Sequence, residues 1–218
     1  MINETKLAEM LCTRLCHDLT GPIGAVNNGA EFLAEEGFDM QNEAMQLILN
    51  SANEAVNRLQ FYRQAYGRVG ETGEASLSDK KQLAEAFFAS TKVKLDWPDA
   101  HTDASGVAVT QKMGKLILNL LIIAGNALIK GGTLAVRVSQ SDAGEKEIRL
   151  SAKGDMVKLD AELVAILKGQ GDEGMLSPKT SQQLLAMNLV EEIGAKLAFE
   201  ASSDALELVC RQQALVTA

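Results

Sequence analysis

Apolar residues over positions 4–67 recur with the helical period and with no other. At 100° per residue, Leu15, Leu19, Val26 and Leu33 share one face, with Leu11 and Ile23 at its edges. The stretch "EEGFD" at 35–39 interrupts this pattern with a glycine. A second stripe then runs through Met45, Ile48, Leu49, Ala52, Val56, Leu59 and Tyr66. Two long helices joined by a short turn predict an antiparallel hairpin. Two helices alone leave much of each stripe in water. A second copy of the hairpin would cover them as a four-helix bundle across a dimer axis, and packing on the rest of the chain is the alternative.

Beyond a polar, glycine-rich linker, "GRVGETGEAS" at 67–76, the period mixes. "SDKKQLAEAFFAS" predicts a helix capped by Ser78, and "VKLDW" alternates as a strand does. Residues 110–129 predict a helix ending at Gly131 and Gly132. "TLAVRVS" and "KEIRLSA" predict strands around the turn "SDAGE". Helices follow near 159–168 and 179–193, and strands near 196–200 and 205–210. The order αβαββααββ predicts an α+β fold, a sheet layered against helices. The expected division is 1–68 for the hairpin and 77–218 for the sandwich.

Charge narrows the function. The 218 residues carry a formal net charge of −8, with 46% hydrophobic and 23% charged residues, the balance of a water-soluble protein. No cluster of Lys and Arg offers a phosphate backbone or an anionic membrane surface a landing site, so neither nucleic acid nor membrane is an expected partner. The apolar stretch "LILNLLIIAGNALI" is too short for a bilayer span and is interrupted by Asn119, Gly125 and Asn126. The odd cysteine count (Cys12, Cys16 and Cys210) and a first ten residues unlike a signal peptide predict a cytoplasmic location.

The chain has two histidines, and one sits in "CTRLCHDLTGP". His17 lies roughly 160–180° around the first helix from the Leu15, Leu19, Val26 and Leu33 face, so it points outward. An outward histidine is by default a solvated one. Its neighbours on the same face are unusual: Gly21, Gly24 and then Asn28. A glycine inside a helix costs about 1 kcal/mol relative to alanine, and Pro22 removes a backbone hydrogen bond. Together they bare the surface beside the imidazole for another protein to approach. A metal site is not expected, because Cys12, Cys16 and His17 do not converge on one ion and no second cluster exists; the other histidine, His101, lies in a loop.

The string His17, Asp18, then "LTGP", on the first helix of a hairpin, resembles the phosphoacceptor box of two-component histidine kinases, His-Asp/Glu-x-x-x-Pro. The longer "LCTRLCHDLTGPIGAVNNGAEFL" is similar to the ChpT-like histidine phosphotransferases of alphaproteobacteria, and the resemblance covers nearly the whole chain. It implies a dimerising hairpin followed by a degenerate copy of the kinase ATP-binding sandwich. The degeneracy is visible in the residues. Ile122 stands where the Asn-x-x-x-Asn box ending at Asn126 needs its first asparagine, and Asn119 is three residues too early. Ala152 replaces the aspartate that reads adenine, and "LSPKTSQQ" has none of the lid glycines.

The resemblance implies a histidine phosphotransferase. His17 takes a phosphoryl group from the receiver domain of a hybrid histidine kinase and passes it to response-regulator aspartates. Asp18 holds the opposite ring N–H. Arg14, Gly21, Gly24 and Asn28 face the partner, although Arg14 reads equally well as a plain surface charge. No ATP and no metal of its own are expected, since the receiver brings Mg²⁺. Gly21 occupies the place of the Thr or Asn that orients water in kinases with phosphatase activity, so hydrolysis is not expected. Two alternatives stay open: a dimeric adaptor or inhibitor that grips receivers or kinases without phosphotransfer, and an ATP-using kinase.

Overall fold

Asn3 opens the first helix by accepting a hydrogen bond from the Lys6 backbone N–H at 3.1 Å. Helix α1 then runs unbroken over Glu4–Ala34, through Pro22, and α2 follows over Gln41–Tyr66. A computed structural model describes residues 3–35, 40–68, 70 and 73–213, so most of the turn expected at 35–39 lies outside the described residues. Helices α1 and α2 pack along their lengths as the expected hairpin. They approach closely at Gly29, where an added Cβ would sit 2.7 Å from Ile48 Cγ1 and 3.2 Å from the Ala44 carbonyl.

The apolar stripes that periodicity selects are only partly covered within the chain. On α1 the buried residues are Leu7, Leu11, Pro22 and Gly29, while Leu15, Leu19, Val26 and Leu33 are half-buried. On α2 they are Ala44, Ser51, Phe61, Tyr62 and Ala65. Met45, Leu49, Val56 and Leu59, the heart of the predicted stripe, remain about half exposed. Where Gly29 meets Ala44 the absence of a side chain lets the two backbones approach, and Leu7, Leu11, Phe61 and Tyr62 are buried elsewhere along the helices.

The rest of the chain is a five-stranded sheet in the order β2-β4-β5-β7-β6, covered on one face by helices. Its strands are β2 (Val93–Asp96), β4 (Gly132–Gln140), β5 (Lys146–Lys153), β6 (Ala195–Ala201) and β7 (Ala205–Gln212). Only β2 and β4 pair in parallel. The crossover between them contains α4 (Gln111–Ala127). This mixed α+β sandwich following a helical hairpin is the architecture expected from the pattern. Inward-facing Leu134, Val136, Val138, Ile148, Leu150, Ala152, Leu206, Leu208 and Cys210 alternate with mostly polar residues such as Arg137, Ser139, Glu147, Arg149 and Glu207, as the period of two demands. Burial pushes the Cys210 thiol up to about 12, so it acts as a small apolar filler.

Helix α4 is buried almost all round because it lies between the sheet and the helices α2, α3 (Leu77–Phe88) and α6 (Ser181–Glu192). Three local features depart from the sequence reading. Ser76, not Ser78, caps α3: its Oγ accepts from the Asp79 N–H at 3.0 Å, and Asp103 accepts from the Leu77 and Ser78 N–H groups at 2.7 and 3.2 Å. A two-residue pairing of β1 (Glu74–Ala75) with β3 (Val109–Thr110) lies partly within the expected linker. The helix expected at 159–168 is a short α5 (Ala161–Ala165) followed by a wider turn over Ile166–Gln170.

Candidate functional site

His17 sits in the middle of α1 with its side chain 88% exposed, which agrees with the outward face assigned by periodicity. Its Nδ1 lies 3.2 Å from Oδ1 of Asp18. The ring is thereby tethered at one nitrogen, and Nε2 is left on the solvent side. A positive or Nδ1-protonated imidazole satisfies that contact, so Asp18 favours the tautomer whose lone pair is on Nε2. Nothing lies within 4 Å of a Cβ built at Gly21 or Gly24, and Asn28 is exposed. The surface beside the imidazole is therefore open, and flat on the scale of a side chain. Pro22 contributes differently from the sequence reading: its ring is buried on the opposite side, and its missing N–H leaves the Asp18 carbonyl without its helical donor.

Asp18 is held from a second direction. Its Oδ2 accepts a 2.6 Å hydrogen bond from the hydroxyl of Tyr62 on α2. Tyr62 is buried, stacked on Tyr66 with ring centroids 5.0 Å apart and edge-on to Phe87 of α3 at 5.7 Å. Desolvation first, and then the Asp18 carboxylate, push its hydroxyl well above the ordinary tyrosine value, so it stays a donor at any physiological pH. Sequence reading does not select Tyr62. A signal was present, since the chain has only two tyrosines and they stand one turn apart near the end of the second helix.

Arg14 is neither a free surface charge nor a residue extended toward solvent. Its side chain is only 14% exposed, its Nη1 donates to the Lys179 carbonyl at 3.3 Å, and its Nε lies 3.8 Å from Asp18 Oδ2. That Nε is buried without a hydrogen-bond partner in range. The guanidinium thus ties the hairpin to residues 177–183, the segment where the kinase resemblance places a glycine-rich lid. Here that segment is a hydrogen-bonded turn. Thr180 Oγ1 donates to the Met175 carbonyl at 2.5 Å, and Gln182 is fully buried beneath it.

The remaining positions singled out in the sequence have structural partners. Asn119 is buried, donating to the Ala65 and Lys115 carbonyls at 2.8 Å each and accepting from Gln182 at 2.5 Å. Ile122 and Ala152 are buried hydrocarbon. Asn126 is exposed and lines a cleft of about 460 Å³ that also reaches Asp18, Arg14, Arg58 and Lys92. His101 is tied to the Val138 carbonyl through Nδ1 at 2.9 Å, far from this site in the fold. Cys12 and Cys16 are exposed and unpaired. Among the described residues no group of three His, Cys, Asp or Glu side chains is placed to share a metal ion, and no helix is long and apolar enough to cross a membrane.

Residues 77–205 match the family described as the histidine phosphotransferase C-terminal domain. The chain belongs to the histidine phosphotransferase family. Phosphotransfer is accordingly its class of activity. It is 34% identical over 204 residues to a protein of Brucella abortus (strain 2308) named protein phosphotransferase ChpT, covering 93% of this chain and 94% of that one. A solved structure of a bacterial phosphotransferase superposes with a TM-score of 0.82 at 32% identity, over 96% of this chain and 98% of that one. Both similarities span the hairpin as well as the sandwich.

Proposed function

We propose that this chain is a phosphorelay intermediate that accepts a phosphoryl group on His17 from the receiver domain of a hybrid kinase and delivers it to the aspartate of a response regulator. The observation that carries this reading is the imidazole itself: 88% exposed, tethered through Nδ1 to Asp18, and open at Nε2 beside a glycine-lined surface. A receiver is a whole domain, and its phosphoaspartate must come within bonding distance of the nucleophile. A side chain recessed in a pocket would prevent that approach.

In this mechanism the Nε2 lone pair forms the N–P bond as the acyl-phosphate P–O bond breaks, and the aspartate leaves with that electron pair. The Nδ1 proton stays in place, so the ring becomes cationic and Asp18 offsets the charge. The second transfer reverses these events on another receiver. A receiver would bring the Mg²⁺ that offsets phosphoryl charge, leaving His17 and Asp18 as this chain's part of the chemistry. Gly21, Gly24 and Asn28 form the surface against which the receiver seats. ATP has no role in the scheme: Ile122 and Ala152 offer hydrocarbon where a nucleotide needs polar partners, and the lid segment is committed to its own turn and to Arg14.

The same reading includes a homodimer. Ile23 on α1 and Met45, Leu49, Val56 and Leu59 on α2 leave about half of each side chain in water, a contiguous apolar burden that a second hairpin would bury. The test of function is phosphotransfer from a phosphorylated receiver. His17→Ala is expected to accept no label while keeping its fold by circular dichroism. Undiminished labelling of that variant overturns the proposal, and unchanged regulation of the partners in its presence favours an adaptor instead.

A further inference from the structure

We infer that Tyr62 is a positioning residue for phosphoryl transfer, acting on His17 through Asp18. This rests on His17 being the acceptor. The carboxylate of Asp18 has two oxygens and uses each once: Oδ1 toward His17 Nδ1 at 3.2 Å and Oδ2 from the Tyr62 hydroxyl at 2.6 Å. His17 and Asp18 are adjacent on one helix, so their contact alone leaves the carboxylate free to rotate toward solvent. A short hydrogen bond from another helix removes that freedom. Arg14 faces the same oxygen at 3.8 Å, too long for a hydrogen bond, so Tyr62 makes the directional contact and Arg14 contributes charge.

Tyr62 is itself immobilised by parts of the chain remote from the histidine. Its ring stacks on Tyr66, whose hydroxyl donates to Gln182 of α6 at 2.5 Å, and it meets Phe87 of α3 edge-on. Gln182 in turn donates to Asn119 on α4. The sandwich thus sets the angle of the imidazole through a rigid polar and aromatic stack, a task that needs no nucleotide. In the chemical step the consequence is a prepared tautomer. With Nδ1–H held on Asp18, Nε2 attacks phosphorus without a prior proton shift, and no proton leaves the ring as the P–O bond breaks.

Tyr62→Phe removes the hydroxyl and keeps the ring stack. Expected are a slowing of phosphoryl acceptance by about tenfold, the scale of one hydrogen bond to a charged group, and an unchanged far-UV spectrum. A second readout does not depend on transfer: in ¹⁵N NMR the His17 signals shift from the Nδ1–H form toward the Nε2–H form that an unrestrained imidazole prefers. In an Asp18→Ala background Tyr62→Phe should add no further loss, because the two act in series. An unchanged rate and tautomer in Tyr62→Phe, or a full additional loss in the double variant, overturns the inference while leaving His17 as acceptor. Absence of label on the wild-type histidine overturns the parent reading and this role with it.

Discussion

Three glycines on one helix have opposite roles. Gly29 is required by close packing, since an added methyl would meet Ile48 and the Ala44 carbonyl. Gly21 and Gly24 face empty space, so nothing in the fold calls for them. Gly21→Ala is therefore expected to raise stability by about 0.5–1 kcal/mol in thermal denaturation. In the proposed relay the same change slows transfer, because the methyl stands where a receiver approaches. Faster or unchanged transfer in that variant would remove Gly21 from the docking surface. The outward direction of His17 was legible from the 100° period because it depends on one helix alone. Tyr62 was not, because its relation to Asp18 spans 44 residues and exists only once α2 has folded back on α1. The reading of Arg14 as a plain surface charge fails for a related reason: its bond to the Lys179 carbonyl joins positions 165 residues apart.

At the scale of elements, the pattern gave long helices and long alternating strands well and short pairings badly. Two-residue strands such as β1 and β3 carry too few positions to show a period. The α3 cap shows how tertiary contacts shift a boundary. Asp103 reaches across from a short helical turn to Ser76, Leu77 and Ser78, fixing the cap two residues earlier than Ser78 would. Its modest burial opposes the charge, but the hydrogen bonds from Ser78, Leu77 and Ser76 outweigh that, and its carboxyl titrates below the usual 3.8. A depressed carboxylate adds stability that is present above its unfolded value and lost as pH falls below it. Asp103→Ala should cost about 1 kcal/mol at neutral pH, and less as pH falls through the carboxyl's depressed titration range. A denaturant series at several pH values reads both numbers, and a cost independent of pH would exclude the charged cap.

For the whole molecule, much of the α2 stripe that periodicity finds is left open by the folded chain. Periodicity finds apolar faces, but it does not say which neighbour covers them. Gly29 and Ala44 meet where α1 and α2 lie close, and in the proposed dimer a second copy would cover Met45, Leu49, Val56 and Leu59. Val56→Asp places a charge in the middle of that face. It is expected to yield monomers in light scattering at micromolar concentration, with the fold intact by circular dichroism. A wild-type chain that is already monomeric there would dismiss the bundle. The net charge of −8 bears on the same point: two acidic copies repel at long range, so the apolar stripe has to supply the attraction, and added salt should tighten the dimer.

The Arg14 bond to the Lys179 carbonyl and the Tyr66 bond to Gln182 have a consequence for anyone who would rebuild this protein. They stitch the hairpin to its own sandwich, one through a backbone carbonyl that the fold of the segment positions and one through the Gln182 side chain. A hairpin transplanted onto a foreign sandwich would keep its histidine and the Tyr62 bond to Asp18, and would lose the Lys179 and Gln182 contacts that steady Arg14 and the tyrosine stack. Specificity engineering in such a chain therefore has to proceed by substitutions on the outer face of the first helix, because exchanging whole segments would break the mounting along with the address.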